Sequence, residues 1–136
     1  MSYGMGAALQ AAVYTHLQAD AALNALVGSA IFDAAPPGGI AGLYVSIGPE
    51  QVRDGSDYDG GGAVHEFTVS VVTDAAGFQS AKNAGAAISD ALVDAPLVLS
   101  RGRLVSLGFL RARALRTTDG TQRQIDLRFR ARVEDN

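Results

Sequence analysis

The chain contains no cysteine. Disulfides and thiolate metal sites are therefore excluded. It has a single lysine, Lys82, and two histidines, His16 and His65. No Gly-x-x-x-x-Gly-Lys-Ser/Thr loop surrounds the lysine, so the common phosphate cradle of nucleotide enzymes is missing. Neither histidine has a second ligand at metal-binding spacing, and both read as structural residues. No serine is flanked as Gly-x-Ser-x-Gly. No apolar run reaches about 18 residues, so no membrane-spanning helix is expected. The opening Met1-Ser2-Tyr3-Gly4-Met5-Gly6 has no basic region, and no secretory signal is expected. No catalytic residue, cofactor or metal is assigned.

What is present is a 136-residue chain that is 48% hydrophobic, enough for one domain with a real core. Its formal net charge is −3. A mildly acidic total gives no case for a free nucleic-acid-binding protein. The total hides a strong segregation, however. Residues 101–136 hold nine arginines against four acids, about +5. Residues 1–100 hold Arg53 and Lys82 against ten acids, about −8. Such a dipolar subunit has a head-to-tail preference and suits a ring or polymer.

Hydrophobic periodicity predicts a helix over 6–19 through Leu9, Ala12, Val13, His16 and Leu17. Asp20 is positioned to cap a short helix over 21–27, which Gly28 stops. Ile31-Phe32-Asp33 reads as a brief extended piece. Leu43–Gly48 alternates like a strand, and residues 49–63 read as a polar, Gly-rich flexible loop. His65–Thr73 is the clearest strand, with His65, Phe67, Val69, Val71 and Thr73 on one face. Asp74 is the expected cap of a helix running from about 75 or 77 to 93. Its apolar stripe is rich in small residues, so it can lie close on a sheet. Residues 103–116 and 122–133 read as two long strands joined by Thr117-Thr118-Asp119-Gly120, since Asp-Gly marks a hairpin. Residues 134–136 read as a frayed end. The order α-α-β-β-α-β-β indicates one α+β domain over 1–136, an antiparallel sheet of about four strands with helices on one face.

A period of two places Arg128, Arg130 and Arg132 in one row, with Arg111 and Arg113 on one face of the partner strand. That row has three readings: a solvated sheet face, a surface for the acidic loop of a neighbouring subunit, or the lining of a channel for DNA. One partial calcium-loop pattern exists, with Asp57, Asp59, Gly60 and Glu66 in place. Gly55 stands where its first carboxylate is required and a strand follows where a helix is needed, so it reads as a flexible acidic loop.

Three segments carry a resemblance to a known family. They are the Ala-rich opening helix with LNALVGSAIFDAAPPG leading to LYVSIG, the strand and helix HEFTVSVVTDAAGFQSAKNAGAAISDALVD, and the closing hairpin LVSLGFLRARALRTTDGTQRQIDLRFRARV. Over about residues 5–133 the pattern resembles the tail-completion, or tail-terminator, proteins of long-tailed phages and gene transfer agents. The resemblance implies a structural virion protein with no enzymatic activity and no cofactor. It implies a homohexameric ring at the head-proximal end of the tail tube. That ring ends tube polymerisation, meets a neck stopper or connector protein, and lets double-stranded DNA pass without sequence-specific binding. It also implies a place in a virion-like particle assembled in the bacterial cytoplasm, away from membranes. Arg53, Asp54, Asp57, Tyr58 and Asp59 are the candidates for contact with the tube or an adjacent subunit. Arg111, Arg113, Arg128, Arg130 and Arg132 are the candidates for inter-subunit or lumen contacts. A head–tail stopper or adaptor is the nearest alternative, and a small α+β ligand-binding domain the more distant one.

Overall fold

A computed structural model describes residues 3–34, 41–55, 61–117 and 119–135. Helix α1 spans Gly6–Ala19 and α2 spans Ala21–Val27. Asp20 caps α2 as expected, its carboxylate accepting the Leu23 N–H at 2.9 Å. Strands β1 (Ile31–Phe32), β2 (Tyr44–Asp54) and β3 (Gly62–Thr73) precede helix α3 (Gln79–Leu92). Strands β4 (Arg103–Arg116) and β5 (Arg123–Glu134) close the chain.

The five strands form one sheet in the order β1-β2-β3-β5-β4. The strand beyond the expected four is the two-residue β1, which pairs parallel to β2 at Val45 and Ser46. All other pairs are antiparallel. Period-two alternation sends Phe67, Val69 and Val71 of β3, and Leu127, Phe129 and Ala131 of β5, into the core beneath the helices. Phe129 is fully buried, stacked on Phe67 (5.7 Å between centroids) and edge-on to Phe109 (5.9 Å). Such pairs contribute about 0.5–1.5 kcal/mol beyond the area they bury. Helix α3 approaches closely because its buried side is Ala81, Ala84, Gly85, Ala87, Ile88 and Leu92. Helix α1 is tied to it where His16 Nε2 meets the Ala91 carbonyl at 2.8 Å.

Three features differ from the sequence-based expectation. Asp74 does not cap α3; the helix begins at Gln79, after Gly77, and has no side-chain cap. The Asp74 carboxylate instead accepts the Gly42 N–H at 3.0 Å, a tertiary partner invisible in local sequence. The loop is shorter than 49–63, because β2 continues to Asp54 and β3 begins at Gly62. Pro49 is accommodated within a register shift between Ile47 and Glu50, where the ladder needs no donor from it. Of the end expected to fray, Glu134 pairs with Gly62 and Arg103, Asp135 is engaged by Arg101 at 2.7 Å, and Asn136 lies outside the described residues.

Candidate functional site

Among the described residues, the helices cover one face of the sheet and leave the other bare. The strand register places four arginine-bearing rungs on that bare face, beyond which Tyr44, Val72, Gln124 and Leu115 form a fifth. Arg53, Val64, Arg132 and Ser106 form the first, and Gln51, Glu66, Arg130 and Gly108 the second. Thr68, Arg128 and Arg111 form the third, and Phe32, Ser46, Ser70, Asp126 and Arg113 the fourth. Six arginines therefore share these rungs with two acids, Glu66 and Asp126.

Simple alternation does not explain this gathering. Leu107 and Phe109 pair with the core residues Ala131 and Phe129. Continued strictly, that alternation would turn Arg111 and Arg113 toward the helices. Register shifts between Leu104 and Ser106 and between Phe109 and Arg111 each insert one extra residue, Val105 and Leu110. The second shift sets Arg111 directly across from Arg128 and Arg113 across from Asp126. The signal for both bulges was present as apolar doublets, Leu104-Val105 and Phe109-Leu110, which no single-faced strand accommodates. Val105 and Leu110 are both exposed.

The arginines divide by partner. Arg101 makes a two-point pair with Asp135, at 3.1 and 2.7 Å, and Arg103 pairs with Glu134. Arg123 donates to the Ala75 carbonyl at 3.1 Å and lies over the Phe78 ring. Arg132 donates to the Gly55 carbonyl at 2.7 Å, tying β5 to the end of β2. Among the described residues, Arg111, Arg113, Arg128 and Arg130 make no hydrogen bond or ion pair. Arg111 and Arg113 are exposed, as is Arg130, while Arg128 is half-buried. Thr68, Arg111, Arg113, Asp126 and Arg128 line a shallow depression of about 270 Å³. The acid there is already engaged: Asp126 accepts from Ser70 Oγ at 2.6 Å and from Gln124 Nε2 at 2.8 Å. Like charges directly opposed across strands are destabilising, so the Arg111–Arg128 pair is a local cost that an anionic partner would relieve. Period-two counting along β5 places Asp126 on the same face as Arg128, Arg130 and Arg132, whereas Thr68 comes beside them only through the register between β3 and β5.

The other candidates separate. Arg53 lies on the bare face, in the same rung as Arg132, whereas Asp54 pairs with Ala63 and belongs to the helix side. Both stand on a strand, not on a loop. Asp57, Tyr58 and Asp59 lie outside the described residues. Glu66, the last position of the partial calcium pattern, sits in β3 opposite Gln51 and Arg130. On the helix side, buried His65 stands with Nδ1 3.4 Å from Glu50, and its Nε2 has no hydrogen-bond partner among the described residues. Tyr3 stacks on this ring and donates its hydroxyl to Glu50, which raises the pKa of that hydroxyl. The larger groove, about 410 Å³, lies between α1 and residues 96–100 over a floor of Ala8, Ala11, Ala12 and Ala19. Among the described residues its polar lining is Thr15, His16 and Ser100, and His16 Nε2 already meets the Ala91 carbonyl.

Comparison with known proteins places this geometry in context. Residues 11–134 match the family model for tail completion protein gp17. Among solved structures, a chain from the virion of a native gene transfer agent particle is 65% identical. The alignment covers 98% of this chain and 99% of that one, with a TM-score of 0.91. No curated protein matches the sequence.

Proposed function

The chain belongs to the tail completion protein gp17 family, and from that premise we propose that it is the terminator of a tail tube. It is a structural component of the virion tail. Six copies close into a ring at the head-proximal end of the tube and stop further addition of tube protein. The ring offers its far side to a neck stopper or connector protein, and double-stranded DNA crosses its centre. Arg53, Asp54, Asp57, Tyr58 and Asp59 meet the tube or an adjacent copy. Arg111, Arg113, Arg128, Arg130 and Arg132 meet a neighbour or the lumen.

Beyond family membership, the observation that carries this proposal is the segregation of charge onto one bare sheet face. A subunit with six arginines on one surface, in a chain of net charge −3, has unlike ends. Unlike surfaces favour heterologous contacts, which form closed rings when the rotation permits. The test uses purified chain and polymerising tube protein. Substoichiometric chain is expected to cap tube ends with a visible ring and halt elongation. Tubes that lengthen at the same rate with and without it would contradict the proposal.

A further inference from the structure

The bare face is more specialised than an assembly surface needs to be. Its arginine-bearing rungs carry arginine, glutamine, glutamate, threonine, serine, glycine and aspartate around the buried Val64, and its other apolar side chains stand at the margins: Phe32 at the β1 edge, Tyr44, Val72 and Leu115 in the next rung, and the bulge residues Val105 and Leu110 on the edge strand β4. Protein–protein contacts are built on apolar or aromatic anchors at their centre. Exposed apolar side chains lie off its centre: Phe109, Val93 and Val98 away from this face, and Val105 and Leu110 at its β4 edge. Interfaces with nucleic acid are instead polar, strongly basic and poor in apolar centres. Arginine also offers a planar fork matched to phosphate oxygens, and this face is built from arginine without lysine.

We infer that the bare face of the sheet is a binding surface for the phosphodiester backbone of duplex DNA, centred on Arg111, Arg113, Arg128 and Arg130. This deepens the terminator proposal, in which DNA crosses the ring, and rests on it for the biological setting. Rungs two residues apart are about 7 Å apart along a strand, so the four rungs form a track about 20 Å long. A track suits a polyanion better than a single carboxylate does. Thr68 adds a hydroxyl donor within the depression lined by Arg111, Arg113 and Arg128. Asp126 Oδ1 is held by Ser70 and Gln124, and this one carboxylate beside Arg111, Arg113 and Arg128 leaves the depression net positive. Contacts of this kind read no base and let DNA slide, so a basic lining is compatible with passage.

The test is fluorescence anisotropy of the full chain with two labelled 30-base-pair duplexes of unrelated sequence, across a salt series. Both duplexes are expected to bind alike. The slope of log K against log salt is expected near −3 to −4 per chain, about −0.9 for each of four phosphates engaged. Arg128→Gln/Arg130→Gln is expected to make that slope shallower by about 2, and Arg111→Gln by about 1. Native mass spectrometry and thermal unfolding run alongside, on tube-capped material if the ring needs the tube. Variants that fold and enter rings but lose DNA affinity support the inference. Absence of wild-type binding at 50 mM salt, or an unchanged slope in folded variants, overturns it. So does a folded variant that no longer forms rings, because the face would then be a seam between subunits. Termination is read separately by tube length, so failure of DNA binding and failure of the terminator role are distinguishable.

Discussion

Replacing Arg111 with glutamate is expected to make the isolated chain more stable while removing its interaction with a polyanion. Arg111 lies directly across from Arg128, and neither has a partner among the described residues. Directly opposed side chains on neighbouring strands start about 5 Å apart at Cβ. With the guanidinium groups splayed to about 7 Å, their repulsion in bulk water is about 0.6 kcal/mol. Glutamate reverses the sign, so the change is about twice that, about 1 kcal/mol. For a chain of this size it corresponds to a rise in Tm of about 3–5 °C. Arg111→Gln removes the repulsion without adding an attraction and is expected to show about half the rise. The assay is thermal unfolding at about 20 mM and at 1 M salt. At 1 M the screening length falls to about 3 Å, and the gain is expected to vanish. A glutamate variant no more stable than wild type at low salt would refute the claim that this pair carries an unrelieved cost.

Three further outcomes follow from local geometry. Gly102 has φ +67°, and a Cβ there would stand 2.4 Å from the Glu134 carbonyl oxygen and 2.5 Å from Met5 Cε. Gly102→Ala is expected to cost at least about 2 kcal/mol through left-handed strain and the clash; a Tm unchanged from wild type would contradict this. Gly85 lies within α3, where a Cβ would meet the Leu127 methyls at an ordinary 3.7 Å. Gly85→Ala is therefore expected to gain up to about 1 kcal/mol of helix propensity, and a lowered denaturant midpoint would show the packing to be tighter than described. Asp119 in the hairpin turn accepts the Thr121 N–H and the hydroxyls of Thr121 and Thr117, which hold its pKa below the ordinary carboxylate value. A lowered folded pKa gives stability above the ordinary carboxylate range that is lost as pH falls through the lowered value. Asp119→Ala is expected to be less stable than wild type at pH 7 and to converge with it at the acid end; parallel curves across the whole range would count against that role.

Much of the fold was legible because local and tertiary preferences agree. The α1 stripe, the Asp20 cap, the strict alternation of His65–Thr73 and the Asp119-Gly120 turn each specify one conformation without outside help. The illegible parts depend on partners distant in sequence. Asp74 serves Gly42 and not the next helix, and Glu134 and Asp135 are held by Arg103 and Arg101. The extension of β2 past Pro49 depends on pairing with β3, which no local signal in residues 50–54 announces. At the candidate site, the row Arg128, Arg130 and Arg132 followed from period-two counting. The meeting of that row with Arg111 and Arg113 required the bulge at Leu110, and the apolar doublet Phe109-Leu110 was its only mark. Of the neighbours that turn a row into a surface, Asp126 shares the row's face by period-two counting, whereas Thr68 became visible only with the register between β3 and β5.

The terminator role is tested most directly by electron microscopy of particles from a producer strain lacking this gene. Overlong or ragged tubes without heads are expected, because nothing then ends tube polymerisation. Tails of normal length beside DNA-filled or leaking heads would contradict the role and move the chain to the neck.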